Sequence, residues 1–123
     1  MGVQTETYLQ RHVRELIEKR GGYCQKNHGS MISEPGIPDI FACYQGFFLA
    51  IEAKDGDNTP SRQQGIHIRN IQKSKGITCV VWTIEEAIKV LDIIDNYETY
   101  LEPYTTSIMK ILREENIDTG EKW

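Results

Sequence analysis

The chain has 123 residues with 39% hydrophobic side chains, and its 14 Lys or Arg against 18 Asp or Glu leave a net charge of −4, so one domain with its own core is expected. There is no apolar run of the roughly 18 residues that a membrane helix needs, and Met1-Gly2-Val3-Gln4-Thr5-Glu6 lacks the basic-then-apolar order of a secretory signal. The expectation is a cytoplasmic protein of phage or bacterial intracellular type, without a membrane partner.

The charge is uneven. Residues 1–82 hold ten Lys or Arg and eight Asp or Glu, and residues 83–123 hold four and ten. The acidity therefore lies in the last third, and the first part lacks the strong basic stripe of a nonspecific nucleic-acid binder. Cys24, Cys43 and Cys79 are odd in number and lie in strand-like runs without a C-x-x-C pattern. They read as small buried side chains in a reducing compartment, and with His12, His28 and His67 they show no zinc-ligand spacing.

The spacing predicts a first helix over about 6–20, with Leu9, Val13, Leu16 and Ile17 as its apolar stripe and Gly21-Gly22 as the stop. Glu6 falls on the same face as positions 9, 13 and 17. It is either an acid favoured by the positive helix N-terminus or a carboxylate aimed inward. A short strand over 23–26 leads into a loop from Asn27 through Pro35-Gly36, where His28 and Ser30 are candidates for phosphate contact or ordinary loop polar groups.

The run Gly36-Ile37-Pro38-Asp39 to Ile51-Glu52-Ala53-Lys54 carries most of the chemistry. With Gln45-Gly46 as a two-residue turn, Tyr44 pairs with Phe47, Ile40 with Ile51, and Asp39 faces Glu52. Facing side chains share one side of the sheet with Cβ atoms about 4.5–5.5 Å apart, and Lys54 points the same way. Two carboxylates about 5 Å apart repel by about 3 kcal/mol at an effective dielectric of about 20. A divalent cation converts that repulsion into coordination, and Mg²⁺ or Mn²⁺ favours hard oxygen donors. The alternative is a solvated hairpin end, against which the apolar Phe41, Leu49, Ala50 and Ile51 argue.

Asp55 to Pro60 is a turn-rich loop. Ser61-Arg62-Gln63-Gln64 has the form of a capping box opening a helix that ends near Gly76. Gln64 is either the capping partner alone or also a group approaching the site. Arg62, Arg69, Lys73 and Lys75 suit phosphate contact and equally suit a solvated face. Residues 77–82 read as an interior strand, Thr83 to Glu86 as a second capping box before a helix to about Asp95, and a last helix begins near Pro103. The order α-β-β-β-α-β-α predicts an α/β fold, with a central mixed sheet flanked by helices plus a C-terminal helix. Residues 1–96 form the expected core and 97–123 a helical extension.

Pro38-Asp39 followed by Glu52-Ala53-Lys54 on the next strand resembles the PD-(D/E)xK nuclease signature. The Gly36-Ile37-Pro38 approach and the later Ser61-Arg62-Gln63-Gln64 resemble its VRR-NUC branch, over about residues 5–90. The resemblance implies a restriction-endonuclease-like core and a Mg²⁺- or Mn²⁺-dependent DNA endonuclease leaving a 5′-phosphate and a 3′-hydroxyl. Asp39, Glu52 and the Ala53 carbonyl would be metal ligands, Glu6 a further or water-mediated one, and Lys54 and Gln64 would act on water and phosphate.

Stand-alone phage members resemble Holliday-junction resolvases, so branched DNA is the expected substrate. Flap, nick or single-strand cleavage is the alternative within the class, and an inactive DNA-binding regulator the alternative outside it. Junction cleavage needs two cuts, and Tyr97, Tyr100, Leu101, Tyr104, Ile108, Met109, Ile111 and Leu112 supply apolar surface for a homodimer, or for a helix folded back on its own sheet.

Overall fold

The computed structural model describes residues 5–27, 35–97 and 104–123, the last segment without the side chains of 104–106. Its elements are α1 (Glu6–Lys19), β1 (Tyr23–Lys26), β2 (Ile40–Tyr44), β3 (Phe47–Ala53), α2 (Arg62–Lys73), β4 (Ile77–Val81), α3 (Ile84–Asp95) and α4 (Tyr104–Glu114). They form one four-stranded sheet in the order β1-β2-β3-β4. The first three strands are antiparallel and β4 runs parallel to β3, so α2 is the crossover that a parallel pair requires.

The hairpin has the register expected from its turn, with Tyr44 opposite Phe47 and Ile40 opposite Ile51. Gln45 and Gly46 have φ of 53° and 83°, the paired positive values of a type I′ turn, whose twist matches that of the flanking strands. Both helix-start signals form complete capping boxes, Ser61 with Gln64 and Thr83 with Glu86.

Alternation along β2 and β3 divides the sheet into two faces. One face carries Ile40, Ala42, Tyr44, Leu49, Ile51 and Ala53 and packs with Leu9, Val13 and Ile17 of α1 and Val90, Leu91 and Ile94 of α3. Arg20 joins Asp92 at 2.8 Å and Asp95 at 3.0 Å, and the Tyr44 hydroxyl donates to Asp95 at 2.6 Å, which ties these layers together at one end.

The C-terminal helix contributes to the same core. Ile108, Met109 and Leu112 of α4, with Ile117 after it, are buried in the cluster that contains Leu9 and Leu91. Burying such side chains stabilises by about 1.5–3 kcal/mol each. The segment after α4 covers the outer edge of β4, where the Val80 N–H donates to the Asp118 carbonyl at 2.8 Å. Thr78 and Gln72 both donate to the Thr119 carbonyl, at 2.6 and 3.0 Å. An edge strand is thereby partly paired, and all five residues of β4 are buried.

One sequence expectation changes. Cys24 and Cys79 are buried as expected, but Cys43 is exposed, because it lies on the second face of β2, away from the α1–α3 layer. Phe48, on that same face, is 45% exposed. Among the described residues no helix is long and apolar enough to cross a membrane.

Candidate metal and active site

Asp39 ends the approach to β2 and Glu52 lies near the end of β3, both on the second face. The Asp39 N–H donates to Glu52 Oε1 at 3.2 Å, and the Ala53 N–H donates to Asp39 Oδ2 at 2.9 Å. The strand start is pinned from the other side by Asn27, whose backbone N–H donates to the Asp39 carbonyl and whose side chain donates to the Pro38 carbonyl, both at 2.7 Å.

Glu52 is 1% exposed, yet three groups converge on its carboxylate. Lys54 Nζ lies 3.2 Å from Oε2, and Gln64 Nε2 donates to the same oxygen at 2.6 Å. Gln64 therefore resolves the two alternatives by doing both, since its Oε1 accepts from the Ser61 N–H at 2.7 Å. The N-terminus of α2 is thus locked to the carboxylate pair through one side chain.

The approach loop makes this possible. Gly36 has φ +88°, and a Cβ there would lie 2.6 Å from the Gln63 carbonyl carbon and 2.7 Å from the Gln64 nitrogen. Only glycine permits that contact without displacement. The Gly-Ile-Pro run therefore sets the spacing between Asp39 and α2.

Burial raises the Glu52 pKa to about 8, with the Asp39 charge adding to the rise and Lys54 opposing it. Asp39 is raised as well, by burial first, against the Ala53 N–H, Lys54 and the side chain of Gln10. Without a cation, then, this pair holds a proton near neutral pH.

The donor set fits a hard divalent cation. Among the described residues no three His, Cys, Asp or Glu side chains are grouped to hold an ion, and the carboxylates that the hairpin brings together are Asp39 and Glu52. Mg²⁺ is commonly held by one or two carboxylates, with water and substrate phosphate completing its shell. Glu6, in the first turn of α1, is half-buried and lies within electrostatic reach. Its pKa is raised by burial first, then lowered by Lys54 and raised by Asp55 and Asp39.

Gln10 is a site residue that the sequence reading missed. It is 8% exposed inside the apolar stripe of α1, and its side chain is close enough to Asp39 to oppose the rise of that carboxyl's pKa. Its signal was a polar residue one helical turn after Glu6, on the face that Val13 and Ile17 bury. Arg62 and Lys73 are exposed and Arg69 half-buried along α2, and His28 and Ser30 lie outside the described residues.

No protein-family model matches the chain, and no curated protein matches it. Among solved structures it is similar to one titled "VRR_NUC domain", at 24% identity and a TM-score of 0.61, over 76% of this chain and 97% of that one. It is also similar to Hjc of Archaeoglobus fulgidus, a Holliday junction resolvase, at 22% identity and a TM-score of 0.48, over 60% of this chain and 64% of that one. The chain has the restriction-endonuclease-like α/β fold seen in the VRR_NUC domain.

Proposed function

We propose that the chain is a Mg²⁺- or Mn²⁺-dependent deoxyribonuclease. The observation that carries this reading is the buried Asp39–Glu52 pair, with Lys54 and Gln64 both converging on Glu52 Oε2. A sheet made only for stability does not bury two like charges face to face, whereas metal-assisted phosphodiester hydrolysis uses such a donor set.

Asp39, Glu52 and the Ala53 carbonyl would hold the ion, with Glu6 as a further or water-mediated ligand. When bound, the ion lowers the pKa of a coordinated water and offsets charge on the phosphate. Lys54 donates to the scissile phosphate or the attacking water. Gln64 and Gln10 hold the carboxylates in orientation, Gln64 through Glu52 and Gln10 through Asp39. The products are a 5′-phosphate and a 3′-hydroxyl.

Branched DNA, the Holliday junction included, is the substrate we assign, on the sequence resemblance of the Gly36–Lys54 run. Two symmetric cuts then call for a homodimer. Its contact surface excludes Ile108, Met109 and Leu112, which are buried within the protomer. It leaves the groove between α3 and α4 lined by Ile93, Tyr97 and Ile111. Tyr100 and Leu101 lie outside the described residues, as does the side chain of Tyr104.

A gel comparing four-way junction, flap, duplex and single strand, with Mg²⁺, Mn²⁺ or EDTA, tests the reading. Metal-activated cutting of the junction is expected. Absence of cutting on every substrate would leave the inactive-regulator alternative.

A further inference from the structure

Among the described residues, α2 covers part of the second face of the sheet, with Ile68 buried, and leaves a part open around Phe41 of β2 and Phe48 of β3. On the open part Phe41 and Phe48 lie with ring centroids 5.2 Å apart and planes at 55°. They floor a cleft of about 460 Å³ whose α2 wall supplies His67, Asn70, Ser74 and Lys75. By strand alternation these rings are on the side that carries Asp39 and Glu52, and Phe41 is two residues from Asp39, about 7 Å along the strand. Pro38, next to Asp39, lines the same cleft.

Leaving Phe48 45% exposed on the face that carries the Asp39–Glu52 pair forgoes burial that a folded chain readily uses. We propose that this cleft binds an unpaired nucleobase of the DNA substrate, stacked on Phe41 and Phe48 next to the scissile phosphate. The proposal rests on the nuclease reading above and deepens it: among branched substrates, those with an unpaired base at the cut, such as flaps, are preferred to the fully paired four-way junction. Every base has a π-face, so an aromatic platform accepts any sequence, while Asn70 and Ser74 can meet base edges.

Charge decides between DNA and a second copy of the chain as occupant. From Asn58 to Ile84 the sequence contains no Asp or Glu, while Arg62, Arg69, Lys73 and Lys75 fall within that stretch, in a chain whose net charge is −4. Of these four, Lys75 lines the cleft itself, and the acid-free stretch as a whole complements a phosphate backbone. A two-fold contact over the same face would set one basic helix near its own counterpart, which is unfavourable.

The test uses the full chain in EDTA at low salt, where no cutting occurs, with 2-aminopurine as the probe. It is placed in the unpaired arm of a flap or in a fully paired duplex. The wild type should quench the unpaired probe and bind the flap more tightly than the duplex. Phe48→Leu, which keeps apolar bulk at an exposed position, should lose the quenching and weaken flap binding by about five- to a hundredfold. Phe48→Trp should retain both.

An unquenched probe with the wild type, or equal flap binding by Phe48→Leu, would overturn the proposal. So would sedimentation showing that Phe48→Leu turns a dimer into a monomer, since a second copy would then cover the face. The readout is independent of cutting. A chain that cuts with Mg²⁺ but never quenches loses only this proposal, and one that quenches but never cuts loses only the nuclease reading.

Discussion

Gln64 joins two structural tasks through one amide: its Oε1 caps α2 at the Ser61 N–H, and its Nε2 holds Glu52 Oε2 at 2.6 Å. Gln64→Glu can keep the cap but replaces a donor with an acid beside a buried carboxyl. It should leave the helix intact, lower metal-free stability above neutral pH, and slow cleavage. Gln64→Ala removes both contacts and should also lower stability in urea, by about 1–3 kcal/mol. Equal cleavage by both variants and the wild type would remove Gln64 from the site.

The carboxyl pair sets a direction for pH dependence. The Glu52 pKa is raised in the folded state to about 8, so between about 4.5 and 8 the folded chain binds more protons than the unfolded one. The stabilising contribution is fully present below the unfolded pKa and is lost as pH climbs through the folded one. Melting temperature in EDTA should therefore fall from pH 5 to pH 9, and Glu52→Gln should flatten that fall. Mg²⁺ should stabilise more as pH rises, releasing protons that calorimetry in buffers of different ionisation enthalpy can count.

Much of this arrangement is readable before folding is considered. The Gln45-Gly46 turn fixes the hairpin register, register fixes which residues face each other, and so Asp39 meets Glu52 without any long-range knowledge. The two capping boxes are likewise local and place both helix starts. Gln10 was missed because its role is nonlocal: a helix stripe says which face is buried, not which strand end it meets. Cys43 was misjudged for a related reason. Period-2 alternation shows that a face exists, but not that α2 covers only half of it.

Lys54 acts on water and phosphate in this scheme, so Lys54→Ala should keep metal affinity in calorimetry while cleavage falls by about two orders of magnitude or more. Glu6→Gln should weaken metal affinity less than Asp39→Asn. If it changes neither affinity nor rate, Glu6 is an acid at a helix N-terminus and nothing more.

Gly36 combines a left-handed φ of +88° with backbone contact to Gln63 and Gln64. Gly36→Ala should cost about 1–3 kcal/mol in urea unfolding and slow cleavage by shifting α2 from Glu52. A variant with wild-type stability and rate would mean that the approach loop does not position the site.

The most direct measurement is the rate of junction cleavage by wild type and Asp39→Asn with Mg²⁺, Mn²⁺ or EDTA, alongside calorimetry of metal binding. The wild type should cut only with a divalent ion, leaving 5′-phosphate ends. Asp39→Asn should fold with equal or greater metal-free stability, lose metal binding, and lose cleavage by about two to three orders of magnitude. Cutting by the wild type in EDTA, or Asp39→Asn cutting at the wild-type rate, would contradict a metal-dependent site built on Asp39 and Glu52.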